Sequence, residues 1–177
     1  HIEPFGAFVD IGCGIVSLLP IDAISVSRIS HPTDRHTVGE HISVVIKSID
    51  ASGRIYVSER ELLGTWEENV SRFSVGQTVA GGVRSIESYG IFVELTPNLA
   101  GLAEWRAGVE VGASAAVYIK SILREKMKVK LVIIDTQESG VKIPTNYYID
   151  HKSTAHISHW RYSPPTCGKV IETAFSE

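Results

Sequence analysis

Cysteine is nearly absent from this sequence: Cys13 and Cys167 are the two among 177 residues. A chain of this length builds a hydrophobic core without covalent staples, so a disulfide framework is excluded and both thiols read as buried or idle. There is also no run of about 18 consecutive apolar residues, which a membrane-spanning helix needs. The start lacks the basic-then-apolar order of a secretory leader. Neither sign of charge dominates, since 17 Lys and Arg face 20 Asp and Glu for a net charge of −3. That excludes a surface that is cationic throughout, but nucleic-acid binding depends on where basic groups cluster rather than on their sum. With 44% apolar and 21% charged residues, the chain reads as a soluble globular protein of one or two small domains, cytoplasmic and without membrane contact.

What is present is a repeat. Ile2-Glu3-Pro4-Phe5-Gly6-Ala7-Phe8-Val9-Asp10-Ile11 is echoed by Ile86-Glu87-Ser88-Tyr89-Gly90-Ile91-Phe92-Val93-Glu94-Leu95, five of ten positions being identical. This match runs at a constant offset of 84 as far as Leu18 and Leu102. A second block, Val38 to Ile49, matches Val111 to Ile122 at an offset of 73, so the first copy carries 11 extra residues between the blocks. The extra residues fall around 25–37, are polar and include Pro32, and read as a loop.

Each copy consists of short β-rich runs punctuated by Gly, Pro, Asn and Ser, the pattern of an all-β sandwich or barrel. Alternation assigns the faces. Ala7, Val9 and Ile11 point one way, as do Ile91, Val93 and Leu95, leaving Phe8, Asp10, Phe92 and Glu94 on the other side. Ile42, Val44 and Ile46 are expected to be inward with Lys47 outward; Val117 and Ile119 inward with Tyr118 and Lys120 outward. Ile55 and Val57 bury while Arg54 and Tyr56 face out, and Val129 and Leu131 bury while Lys128 and Lys130 face out. Between the copies, Leu62, Leu63, Trp66, Val70 and Phe73 follow the period of a short amphipathic helix over 59–73, with Trp66 in packing contact.

These residues resemble a known family. Phe-Gly-Ala-Phe-Val-Asp, then Gly-Ile-Val-Ser-Leu-Leu, then Val-Gly-Glu before a β run, then Asp50 to Ser58 are similar to the S1 RNA-binding domain. That domain is a five-stranded OB-type barrel repeated in ribosomal protein S1 and appended to several RNA-processing enzymes. The resemblance implies tandem OB-type Greek-key barrels: the first over 1–58, a helical linker over 59–73, the second over 74–135, and a C-terminal extension over 136–177. It implies that the first barrel lacks its opening strand in this chain, with further sequence expected upstream. It also implies single-stranded RNA, mRNA in particular, as the partner, with the ribosome beside it and a role in translation. The site residues carried across are Phe5, Phe8, Asp50 and Arg54 in the first copy and Tyr89, Phe92 and Lys128 in the second. Pro20 and Glu104 stand where the family has a histidine, and Leu123 where it has the aspartate.

Physical reasoning adds Lys47, Lys120 and Lys126. Exposed rings stack on bases of any identity while neighbouring cations follow phosphates, and Lys120, Arg124, Lys126, Lys128 and Lys130 set five cations against the single acid Glu125 on one hairpin. The alternative is that degenerate repeats dock on a protein or the ribosome; a weaker one is the accessory region of a nuclease.

In the tail, 136–146 reads as a linker, Tyr147 to Ile149 and Ile157 to Tyr162 as strands, and Lys169 to Phe175 as a short helix or strand. His151, His156, His159 and Cys167 do not have the paired-cysteine spacing of a structural zinc site. Gly12-Cys13-Gly14 lacks the third glycine, the lysine and the following helix of a phosphate loop. Neither an enzyme nor a cofactor is expected.

Overall fold

The computed structural model describes residues 1–138, 140 and 143–175. The linker expected over 136–146 and the extension to 177 therefore lie partly outside the described residues, at 139, 141, 142, 176 and 177. The chain divides into two compact units, one made of His1–Gly64, Tyr147–Trp160 and the described residues from Glu172, the other of Thr65–Asn146 and Arg161–Ile171. The division falls inside the expected linker, and the residues after 146 are shared between the two units.

The first unit holds β1 (Ile2–Glu3), β2 (Gly6–Asp10), β3 (Val16–Pro20), β4 (Val45–Ile49) and β5 (Ile55–Ser58) in the order β1-β2-β3-β5-β4. The β3–β5 pair is parallel and the other pairs are antiparallel. The second unit holds a short helix, α1 (Trp66–Val70), followed by β6 (Thr78–Glu87), β7 (Gly90–Thr96), β8 (Leu99–Ala103), β9 (Ser114–Leu123) and β10 (Lys128–Gln137). These five strands form a closed barrel, with β8 and β10 the parallel pair. Taken in chain order, the strands of both units neighbour one another in the same sequence. The difference is closure: β6 continues past β7 to pair with β9 through Thr78–Gly82, whereas among the described residues no strand pairs with the outer edge of β4. Two further strands, β11 (His159–Arg161) and β12 (Glu172–Ala174), form a small sheet.

Sequence explains these elements locally. Thr65-Trp66-Glu67-Glu68 is a capping box, in which the Glu68 amide donates to Thr65 Oγ1 at 3.1 Å and the Thr65 amide to Glu68 Oε1 at 3.0 Å. The helix expected over 59–73 is confined to Trp66–Val70; 59–64 is turn and loop, although Leu62, Leu63, Trp66 and Val70 are all buried. Tyr147 to Ile149, expected as a strand, is irregular. The Tyr148 amide donates to the Leu62 carbonyl, and the Tyr147 side chain is drawn to polar partners described below.

The core of the first unit is Leu19, Ala23, Ile24, Ile29 and Val57, flanked by half-buried Val9, Ile11, Ile42, Val44 and Ile55. That of the second includes Val83, Ile91, Val93, Val117, Ile119 and Leu131. One expected core residue is corrected. Ile46 is 53% exposed, whereas Ile119, its counterpart in the second copy, is wholly buried. Closure accounts for the difference, since β6 pairs with β9 whereas β5 is the one described strand that pairs with β4. Ile119→Ala is therefore expected to cost about 2–5 kcal/mol and Ile46→Ala below about 1 kcal/mol. Urea unfolding of the two variants checks this, and equal losses would show that β4 is covered in solution.

Candidate nucleic-acid interface

Both copies place glycine between two rings. In the second, a Cβ on Gly90 would lie 2.6 Å from the Ala103 carbonyl oxygen, so only glycine lets β7 and β8 approach this closely; Gly6 meets the Leu19 carbonyl in the same way. The rings on either side consequently meet edge to face. Phe5 and Phe8 have centroids 6.1 Å apart and planes at 89°, and Tyr89 and Phe92 are 6.1 Å apart at 83°. The His1 ring adds a third partner 5.8 Å from Phe8. Phe5 is 55% exposed, Phe8 39% and Tyr89 67%; Phe92 is half-buried.

Register extends each ring into a row across the outer face. In the first unit Phe8 is opposite Leu18, Leu18 opposite Tyr56, and Tyr56 opposite Ser48. In the second Phe92 is opposite Leu102, Leu102 opposite Lys130, and Lys130 opposite Ser121. Both β4 and β9 are interrupted at the next residue. The register shifts between Ile46 and Ser48 and again between Ser121 and Ile119, so Lys47 and Lys120 are each the extra residue of a β-bulge, a device that re-aims a side chain.

The hairpins that end the rows differ. Asp50 Oδ1 accepts from the Ser52 amide at 3.0 Å, the Ser52 hydroxyl at 2.7 Å and the Arg54 amide at 2.9 Å. The Ser52 hydroxyl, then the Arg54 amide, hold the Asp50 carboxyl below its ordinary range. Asp50 thus shapes the turn, and Arg54 shares the face of Tyr56 two residues on. In the second unit Leu123 replaces the aspartate and a 3-10 turn spans Arg124–Lys126.

Electrostatics here is more balanced than the hairpin sequence indicates. Lys120 Nζ lies 3.0 Å from Glu104 and Arg124 Nε 3.2 Å from Glu67. Lys126, Lys128 and Lys130 are exposed and form no ion pair among the described residues. Glu94, on the Phe92 side of β7, is fully buried beneath its partner Arg84. The two residues the sequence reading left out of the site, Tyr56 and Lys130, were visible as outward-facing, but only register shows that they share a row with Phe8 and Phe92. His151 and His156 are exposed, His159 pairs with Glu172 at 2.9 Å, and Cys167 is buried. Among the described residues no three His, Cys, Asp or Glu side chains gather as a metal site.

The first unit's extra loop is pinned beside this face. His36 is buried with Nδ1 3.1 Å from Glu40 and Nε2 3.0 Å from Glu59. Glu59, itself 1% exposed, also accepts from the Tyr147 hydroxyl at 3.3 Å, and that hydroxyl accepts from the Ser43 amide at 3.2 Å. Burial acts to lower the His36 pKa, but the hydrogen bonds and charges of Glu59 and Glu40 outweigh it and raise the value. Burial, then the Glu59 charge, pushes Tyr147 up to about 12. Residues 36–42 and Ala7 to Asp10 line one cleft.

The family model described as S1 RNA binding domain matches residues 1–60. Residues 1–60 belong to the S1 RNA-binding domain family. The chain is 32% identical over 148 residues to the small ribosomal subunit protein bS1 homolog of Bacillus subtilis, covering 81% of this chain and 37% of that protein. It is 33% identical over 143 residues to the 4-hydroxy-3-methylbut-2-enyl diphosphate reductase of Clostridium tetani, covering 80% of this chain and 22% of that one. A solved multidomain protein with nucleic acid binding domains from Streptococcus pneumoniae matches 75% of this chain and 47% of its own at 15% identity, with a TM-score of 0.32. The chain spans about a third of the length of the ribosomal relatives it matches. No described helix is long and apolar enough to cross a membrane.

The His36 arrangement gives a pH expectation. A folded pKa raised above the unfolded value means the stabilisation is complete below 6.5 and is lost as pH rises through the raised value. The thermal midpoint of the first unit should fall over that window, and His36→Gln should abolish the step. A wild-type profile that is flat there would show that the imidazole is neutral in the folded protein.

Proposed function

We propose that this chain binds single-stranded RNA on the outer faces of two S1-type repeats, the open five-stranded sheet of residues 1–58 and the closed barrel of residues 74–135, joined by the segment around α1. The reading rests on one observation: both units carry an edge-to-face ring pair at the same strand position, each leading into the same cross-strand row. Rings stack on bases without regard to sequence, and basic side chains beside them neutralise phosphates. Phe5, Phe8, Lys47 and Arg54 serve the first face, with Asp50 holding the turn that presents Arg54. Tyr89, Phe92, Lys120, Lys126 and Lys128 serve the second. The role is to hold or guide message near the ribosome in the cytoplasm, without chemistry of its own; similarity to small ribosomal subunit proteins supports the place beside the ribosome.

A second reading is favoured by the pairing of Lys120 with Glu104 and Arg124 with Glu67. With those cations engaged, the second barrel is a protein- or ribosome-docking repeat of weak RNA affinity.

Fluorescence anisotropy of a labelled oligouridylate of about 15 nucleotides separates the two, a length that covers two barrel sites. Wild type should bind and weaken steeply with salt, and the Phe8→Ala, Phe92→Ala double variant should lose at least about tenfold in affinity, each stacked base contributing about 1–3 kcal/mol. Absence of binding by folded wild type at low salt would favour docking.

A further inference from the structure

The two rows follow the same strand pairing, and their residues are identical at every position but one. Phe8, Leu18 and Ser48 correspond to Phe92, Leu102 and Ser121, while at the centre Tyr56 corresponds to Lys130. Resting on the RNA-binding reading above, we infer that this central position divides the labour between the units: Tyr56 stacks a base in the first, and Lys130 neutralises a phosphate in the second.

Three observations carry this. First, both side chains lie two strands from the outer ring, about 9.5 Å at the usual strand spacing, and on the same face as it. Second, the first face already holds Phe5, Phe8 and His1 as a connected ring cluster. Half-buried Tyr56 adds a further ring on the far side of Leu18, so the first face is an aromatic platform. Third, in the second unit the cations at the rim, Lys120 and Arg124, are held by Glu104 and Glu67. Lys130 is exposed on the row itself, with Lys128 two residues away on the same side of β10, and neither forms an ion pair among the described residues. The cation placed to meet a strand crossing from Phe92 is therefore Lys130.

The two modes differ in a measurable way. A stacking contact contributes affinity with little dependence on salt, whereas each phosphate neutralised on a single strand adds about 0.7 to the slope of log K against log salt. Reciprocal substitution tests the inference with the same labelled oligouridylate. Tyr56→Lys should steepen the slope by about 0.7, Lys130→Tyr should make it shallower by about 0.7, and Tyr56→Phe should keep the wild-type affinity and slope. Circular dichroism of each variant confirms the fold, and both positions face outward. If Tyr56→Lys and Lys130→Tyr leave slope and affinity unchanged while Phe8→Ala, Phe92→Ala still weakens binding, the inference is overturned and the RNA-binding reading stands. If folded wild type does not bind at low salt, both fall together.

Discussion

A strand that buries every second side chain presents the others to water, and in this chain that alternation determines both the core and the candidate interface. Val117 and Ile119 are buried because Tyr118 and Lys120 are on the other side; Val129 and Leu131 are buried because Lys128 and Lys130 are not. A slip of one residue would exchange the two sets wholesale, so the apolar core holds the outward row in register. The rings are positioned by what lies beneath them as much as by their own neighbours.

Closure then decides how well that core is sealed. In the second unit β6 pairs with both β7 and β9, and the residues beneath are fully buried. In the first, β4 has an open outer edge among the described residues, and polar side chains secure the end of β5 instead. Glu61 accepts from the hydroxyls of Ser58 and Thr173, the latter at 2.9 Å, while Arg60 reaches the same threonine at 2.9 Å. Glu59 gathers His36 and Tyr147. Burying a carboxylate is costly unless it is paired and hydrogen-bonded, and here each buried acid ties together segments distant in the chain. The extra loop and part of the tail thus belong to the first unit through carboxylate contacts.

Much of this was legible in the sequence because it follows from local periodicity. The ring pairs, the outward cations and the inward aliphatics of both copies are period-two readings, and Thr65 to Glu68 is a capping box that can be read directly. What could not be read depends on contacts between distant residues. Ile46 and Ile119 occupy equivalent sequence positions, and only the presence or absence of a neighbouring strand separates their burial. The helix around Trp66 was overextended because buried leucines before it fit a helical period while lying in turns. Glu59 and Glu61 look like surface acids beside Arg60, and nothing nearby in sequence announces His36, Tyr147 or Thr173 as their partners. The pairing of Lys120 and Arg124 with acids from other elements was hidden for the same reason.

The two hairpins show how one task is met with different residues. In the first, Asp50 and Arg54 face each other across a three-residue loop, with Gly53 at φ 82° and the aspartate carboxylate holding the amides. In the second, Leu123 is opposite Lys128 and the loop is one residue longer, closing through Met127 at φ 49°. A non-glycine residue in the left-handed region is disfavoured by about 1–2 kcal/mol, so the second turn is intrinsically the poorer one. It persists because β9 and β10 pair along their whole length, which the shorter β4 and β5 do not match. A hairpin supported by a long ladder tolerates a weaker turn, and the longer loop it carries is where Arg124 and Lys126 reside. The first hairpin, with four or five residues in each strand, depends on its turn, and there the family's aspartate is retained.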